Sequence, residues 1–281
     1  MLALETARRA PYEEYATPEA VPHFDLVPVF GPDRGRLEDF RGVRRADSGR
    51  VVSVVSSRYG LLPHAEVAGA VHAIAGALDA PAQDPGAPAF PRERITLFRG
   101  GRAMELRLVV GTRYELPGGD AVYPAVRVVN SVDSKLALAC EGLGVRLACA
   151  NQLVAGMDAI VAFREVHLAA KEDLLGLLQK AIHTILSKFK DATRRYEAAM
   201  GEELLAEEVE PRLVAAGLPR VHASAIGARA EAEASHNGLT TAWRAYNCAT
   251  DAITHRIGPG VSPARAREFE RAAAGALLAP A

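Results

Sequence analysis

Side chains able to do acid–base, nucleophilic or metal chemistry occur in this chain, but never in the spacing that such chemistry needs. There is no GxxxxGK[ST] phosphate loop, no HExxH pair and no Gly-x-Ser-x-Gly elbow. Gly142-Leu143-Gly144 lacks the third glycine and the following helix of a dinucleotide fingerprint. His64 and His72 stand eight residues apart near one face of a predicted helix, a spacing from which two imidazoles could reach a metal. Without clustered Cys, Asp or Glu their expected role is structural. Cys140, Cys149 and Cys248 form no CxxC pair. Cys140 and Cys149, in or beside predicted strands, are expected as small buried hydrophobes rather than a redox pair. No catalytic residue, metal ligand or cofactor is assigned, and the chain is expected not to be an enzyme.

What remains is the placement of charge. Lys180, Lys188, Lys190, Arg194 and Arg195 are opposed within their segment only by Asp191, and four of the five lysines of the chain fall between 171 and 190. On a helix, Lys180, Thr184, Lys188, Asp191 and Arg195 share one face, with His183, Ser187, Lys190 and Arg194 beside it. Cations interleaved with hydroxyls suit contacts to phosphates, as in a groove that tracks single-stranded nucleic acid. The plainer alternative is a solvated helix face neutralised by the acids C-terminal to it, Glu197, Glu202, Glu203, Glu207, Glu208 and Glu210, with no base between 196 and 210. A second basic group lies in predicted strands and turns: Arg92, Arg94, Arg99, Arg102, Arg107 and Arg113 against Glu93 and Glu105. Charge on edge strands also serves simply to block aggregation. The nucleic-acid expectation therefore rests on Arg99, Arg102, Arg107, Lys180, Lys188, Lys190, Arg194 and Arg195 converging into one uninterrupted positive trough.

Those side chains must be carried by identifiable elements. Arg50 to Ser56 is β-branched and reads as a strand. Tyr59-Gly60 turns the chain, and Pro63 opens a helix that runs to Leu78. Residues 80–91 are rich in Pro and Ala and read as a linker. Arg94–Phe98 and Met104–Val110 flank a Gly100-Gly101 hairpin. Tyr123–Asn130 and Lys135–Ala139 flank a Ser131–Ser134 hairpin, and Gly144–Ala148 is expected as a further strand. From about Leu168 the pattern is helical, with Leu178, Ile182, Ile185 and Phe189 on one stripe. Ser262-Pro263 caps a last helix. The expected fold is α+β, an antiparallel β-meander sheet packed by helices with a helical C-terminal half. Its expected parts are an irregular N-terminal arm (1–45), an α+β core (46–200) and a helical C-terminal region (201–281).

The composition limits the remaining classes. The 281 residues are 49% apolar and 24% charged, with 33 basic and 34 acidic side chains. Such a chain is an ordinary globular protein, neither collagen, coiled coil, disulfide scaffold nor wholesale disorder. Balanced charge announces no bulk affinity for nucleic acid or membrane. An odd cysteine count and an N-terminus without an apolar core point to a reducing cytoplasm, and no apolar run of about 20 residues predicts a membrane span.

Three segments together carry a family resemblance. The first is Val51-Val52-Ser53-Val54-Val55-Ser56-Ser57-Arg58-Tyr59-Gly60. The second is Asn130-Ser131-Val132-Asp133-Ser134 continuing to Arg146-Leu147-Ala148-Cys149-Ala150-Asn151-Gln152-Leu153. The third is Trp243-Arg244-Ala245-Tyr246-Asn247-Cys248-Ala249-Thr250 with His255. Over about residues 45–256 the chain resembles the phage/plasmid-like family, domain of unknown function 932. The resemblance implies a gene of phages, plasmids or integrated elements. The order of a hairpin sheet followed by a long helix is also similar to the core of phage single-strand annealing proteins, where basic residues of sheet and helix hold a DNA strand along an oligomeric ring. The residues themselves have a local reading: Asn130, Ser131, Asp133 and Ser134 suit a tight hairpin, Asn151 and Gln152 can cap a helix or tie loops, and Trp243, Tyr246 and His255 are expected to pin the terminal helix. The functional expectation is a non-catalytic, homo-oligomeric protein binding or annealing single-stranded DNA. The alternative is a structural or regulatory protein acting through protein contacts alone.

Overall fold

The computed structural model describes residues 12–78, 93–146, 153–165 and 174–278; the expected linker 80–91 lies outside them. The chain opens with β1 (Tyr12–Tyr15), β2 (Phe24–Phe30), β3 (Arg36–Arg45) and β4 (Val51–Ser56), followed by α1 (His64–Ala77). Next come β5 (Glu93–Phe98), β6 (Ala103–Val109), β7 (Tyr114–Glu115), β8 (Ala121–Ser131), β9 (Leu138–Arg146) and β10 (Leu153–Glu165). The long helix α2 (Leu174–Gly201) leads into β11 (Glu203–Leu205), α3 (Val209–Ala215), α4 (Arg220–Ala232), β12 (Leu239–Thr241), α5 (Ala242–Ala252) and α6 (Pro263–Leu277). This is the expected α+β arrangement: antiparallel strands first, then a helical C-terminal half.

The main sheet has the order β1-β5-β6-β8-β9-β10, with β7 pairing β8, and β2-β3-β4 form a separate three-stranded sheet. Both are antiparallel. Two expectations need correction. Residues 12–45 are not an irregular arm, since β1 closes one edge of the main sheet and β2 and β3 build the small one. The two strands expected over 135–139 and 144–148 are one, β9, because Gly142 and Gly144 stay paired with Val126 and Pro124 of β8. Strand β10, on a stretch to which the sequence assigned no element, pairs antiparallel with β9.

Strand register sorts the main sheet into two chemically distinct faces. Ile95, Leu97, Met104, Leu106, Leu108, Val126, Val128 and Cys140 share one face and are buried. They join Val67 and Val71 of α1 and Leu178, Ile182, Ile185 and Phe189 of α2 in a single apolar core. That core runs on into α5 and α6 through Trp243, Tyr246, Phe269 and Ala273, so the C-terminal helices are no independent unit. Tyr196 of α2 and Trp243 of α5 meet with ring centroids 5.1 Å apart. The other face carries Thr96, Phe98, Glu105, Arg107, Arg127 and Glu141, and beside them Tyr123, Ala125, Leu143 and Val145.

Two glycines report how tightly this packs. A Cβ on Gly111 would lie 2.6 Å from Pro124 Cγ and 3.1 Å from Leu186 Cδ2, where α2 crosses the sheet, whereas one on Gly76 in α1 would meet nothing within 4 Å. Gly111→Ala is therefore expected to destabilise the protein by about 1–3 kcal/mol through overpacking. Gly76→Ala should stabilise it by roughly 0.5–1 kcal/mol, since only chain entropy changes. Urea unfolding of the two variants measures both signs.

Candidate functional site

Helix α2 buries Leu178, Ala181, Ile182, Ile185, Phe189, Thr193 and Tyr196 along one stripe, and this fixes what the opposite side presents. Lys180, His183, Ser187, Lys188, Lys190 and Arg194 are exposed. Thr184 Oγ1 donates back to Lys180 O at 2.8 Å, and Ser187 Oγ to Thr184 O at 2.9 Å, so the hydroxyls lie flat along the helix. Arg194 pairs with Asp191 at 3.3 Å, and Arg195 donates to Leu278 O at 3.2 Å, tying α2 to the end of α6. Among the described residues, no carboxylate stands within ion-pair distance of Lys180, Lys188 or Lys190. Four of the acids expected to neutralise this helix face are engaged elsewhere: Glu197 accepts from Tyr114, Glu202 and Glu208 face Arg212, and Glu210 faces Arg220.

The hairpin arginines do not join this surface. Arg99 takes a left-handed backbone (φ 58°) at the β5–β6 turn and pairs with buried Asp133 at 2.9 Å. Arg102 Nε donates to Arg99 O at 2.7 Å. Arg107 binds Glu105 at 2.7 Å on the sheet face opposite the one that α2 covers. Register explains the last point: Arg107 alternates with Leu106 and Leu108, and those two face α2. The single trough expected from Arg99, Arg102, Arg107 and the α2 cations is thus not formed. Arg107 lies on the side of the sheet away from α2, and Arg99, Arg102 and Arg107 are each held by their own partners.

The first two family segments meet instead in a polar knot. Tyr59 Oη donates to Ser131 O at 2.8 Å, and Asn130 Nδ2 donates to Leu62 O at 2.8 Å and lies 3.1 Å from His64 Nδ1. His64 Nε2 lies 3.2 Å from Gly101 O. Ser131 Oγ bridges Leu136 N and O, and Asp133 Oδ1 accepts from Lys135 N at 3.1 Å. Motif residues far apart in sequence therefore lock the β4–α1 connection to two hairpin turns. His72 pairs with Glu93 at 3.0 Å, and no cluster of three or more metal-binding side chains occurs among the described residues. Trp243 and Tyr246 are buried as expected, whereas His255 is exposed on a π-helical turn. Cys140 and Cys248 are buried thiols, each pushed up to about 12 chiefly by desolvation. Asn151, Gln152 and Cys149 lie outside the described residues.

Sequence reasoning missed the densest chemistry in the molecule. Arg94, Arg107, Arg127 and Glu141 sit directly opposite one another across four strands. Like charges facing each other across strands repel, so the row needs acids around it. Glu14 pairs with Arg94, Glu105 with Arg107, and Glu270 of α6 takes both terminal nitrogens of Arg127 at 2.9 Å. Arg271 reaches Glu141 at 2.7 Å. Arg127, Glu270 and Glu105 are 4%, 3% and 6% exposed. Burial pushes the Glu105 carboxyl up, but Arg107, Arg127 and Arg267 outweigh it and hold it below its ordinary 4.5. Burial and the repulsion of Arg127 lower Arg267 in turn. The signal available in sequence was charge alternating with Met104, Leu106 and Leu108; nothing local marked Glu270 as its partner.

Removing one member of a buried pair strands the other. Arg127→Met is therefore expected to cost about 3–5 kcal/mol, and adding Glu270→Leu should recover much of it in denaturant unfolding. Because Glu105 titrates lower folded than unfolded, its contribution is present at neutral pH and is lost as pH falls through the depressed folded value. The stability gap between wild type and Glu105→Gln should accordingly narrow below pH 4.5.

No helix among the described residues is long and apolar enough to cross a membrane. No curated protein and no solved structure matches the chain. The family profile described as Domain of unknown function (DUF932) matches residues 51–276. That span takes in the polar knot, the charged row and the helices that cover them, and the chain belongs to this family.

Proposed function

We propose that the protein is a non-catalytic, homo-oligomeric protein that binds single-stranded DNA through the outer face of α2. One observation carries the reading: Lys180, Lys188 and Lys190 stand exposed on a helix anchored by its other side, with no carboxylate of the described residues within ion-pair distance. Cations without such partners lose little when they meet phosphates, and the adjacent His183 adds a ring donor. The site is smaller than expected, since the hairpin arginines are no longer part of it. Annealing of two strands is a further step that self-association of the protein would have to supply.

A second reading, action through protein contacts alone, has its own support. Of the ten large apolar side chains exposed among the described residues, six (Leu26, Phe30, Leu37, Phe40, Val51 and Val54) lie on the β2–β4 sheet. A concentration of apolar surface on one element marks an interaction site. It favours self-association, which the first reading also requires, without calling for nucleic acid.

Fluorescence anisotropy with an oligo(dT) strand separates the two. Binding at about 50 mM salt should weaken steeply as salt rises. Lys180→Glu, Lys188→Glu and Lys190→Glu combined should abolish most of it, and a Lys→Gln set should lower the salt slope by roughly 2, at about 0.7 per phosphate contact. Absence of binding at low salt, or binding indifferent to these changes, overturns the DNA reading and leaves the protein-contact one.

A further inference from the structure

Between the charged face of the main sheet and the turn that leads into α6 lies a cleft of about 430 Å³. This lies within the size range of small-molecule sites. One wall is sheet: Thr96, Phe98, Glu105 and Arg107 from β5 and β6, with Arg94 and Arg99 at its margins. The other wall is the chain from Ile253 to Ala266, and its backbone is irregular there. Ile253–Ile257 forms a π-helical turn and Gly258–Gly260 a 3-10 turn. A Cβ on Gly258 would lie 2.7 Å from Ile253 O, so the tight fold of this wall excludes any larger residue. Single π turns recur at functional sites because they turn side chains out of helical register.

The lining has one unmet need. Glu105 Oε1 is taken by Arg107 at 2.7 Å, but Glu105 Oε2 is buried without a hydrogen-bond partner, in a residue only 6% exposed that lines the cleft. A buried acceptor left unmade is costly, and the residue that carries it lines the cleft. The charged groups lining the cleft balance: Glu14, Glu105 and Glu270 against Arg94, Arg99 and Arg107. Each of those arginines already holds a carboxylate, of Glu14, Asp133 and Glu105 respectively.

These constraints select the chemistry of the occupant. An anion would meet the Glu105 carboxylate and arginines that are already satisfied. A cation would enter beside Arg107, with Arg127 and Arg267 close enough to act on the same carboxylate. A neutral N–H donor meets neither repulsion, and Phe98, Ile253 and Val261 offer apolar walls for a flat ring. We propose that this cleft binds a neutral, planar heterocycle of the nucleobase type, which donates an N–H to Glu105 Oε2 while its ring lies between the sheet and the π turn. The proposal goes beyond the α2 reading and does not depend on it, since no α2 residue lines the cleft.

The probes are guanosine and adenosine, with benzamidine as a planar cation of similar size, followed by saturation-transfer NMR and titration calorimetry on the full chain. At least one nucleoside is expected to bind one-to-one with a Kd below about 1 mM, the lower end of specific affinity, and benzamidine to bind more weakly. In Glu105→Gln the amide oxygen is retained by Arg107, so its NH2 replaces Oε2 and a donor faces a donor. Affinity should then fall about tenfold or more, as expected for a lost hydrogen bond to a charged group. Ala266→Phe fills the cleft from α6 while leaving every member of the charged row in place, and it should abolish binding while thermal melting shows the protein folded. The combined lysine variant of α2 should bind the nucleoside as wild type does, so the two readings fail separately. No binding by either nucleoside at about 10 mM, preference for benzamidine, or binding unchanged by Ala266→Phe overturns the proposal.

Discussion

The contact on which most of the architecture depends is Arg127 against Glu270. A central strand that carries arginine opposite arginine would not form a stable interior, and burial removes the water that could screen them. The acid that resolves this comes from the last helix, 143 residues further along. Docking of α6 is therefore a condition for the sheet to bury that face, as well as a consequence of apolar packing. Buried pairs of this kind often add little net stability compared with an apolar replacement. What this one does add is register, because only one placement of α6 sets a carboxylate beneath Arg127 and Arg271 beside Glu141.

The two faces of the sheet divide the work. The apolar face, filled by α1 and α2, supplies the cohesion expected of a long chain with a sizeable core. The charged face cannot close as tightly, because ionised groups need space and geometry, and there the cleft under the π turn remains. Phe98 and Val261 make that space partly apolar, while Glu105 makes it selective. Two of the family segments lie at a third place, around Tyr59, His64 and Asn130. Their hydrogen bonds go to backbone carbonyls and to one another. They hold turns in position.

Periodicity made much of this readable in advance. The 2-residue alternation of β5, β6 and β8 and the 3- and 4-residue stripe of α2 are local properties, and both elements lie close to where those patterns put them. Strands β2 and β3 were not readable, since Pro28 and a succession of charges from Arg34 to Arg45 conceal an alternation that serves only a small sheet. The basic helix face was legible because helical geometry follows from spacing alone. The supposed trough was not, because joining hairpin to helix depends on strand parity: Arg107 and Leu106 are neighbours in sequence and look to opposite sides. Glu270 and the cleft belong to the same class of invisible feature, made by contacts between segments with no shared local pattern.

The outer face of α2 touches neither the core nor the charged row. Substitution at Lys180, Lys188 or Lys190 is accordingly decoupled from folding, and lineages can rewrite this surface at little structural risk. Glu105 and Arg127 have no such liberty, for each change there must be answered by a second one in another element. Divergence among relatives should thus accumulate unevenly, with partner choice drifting on the helix while the interior changes only in compensated pairs.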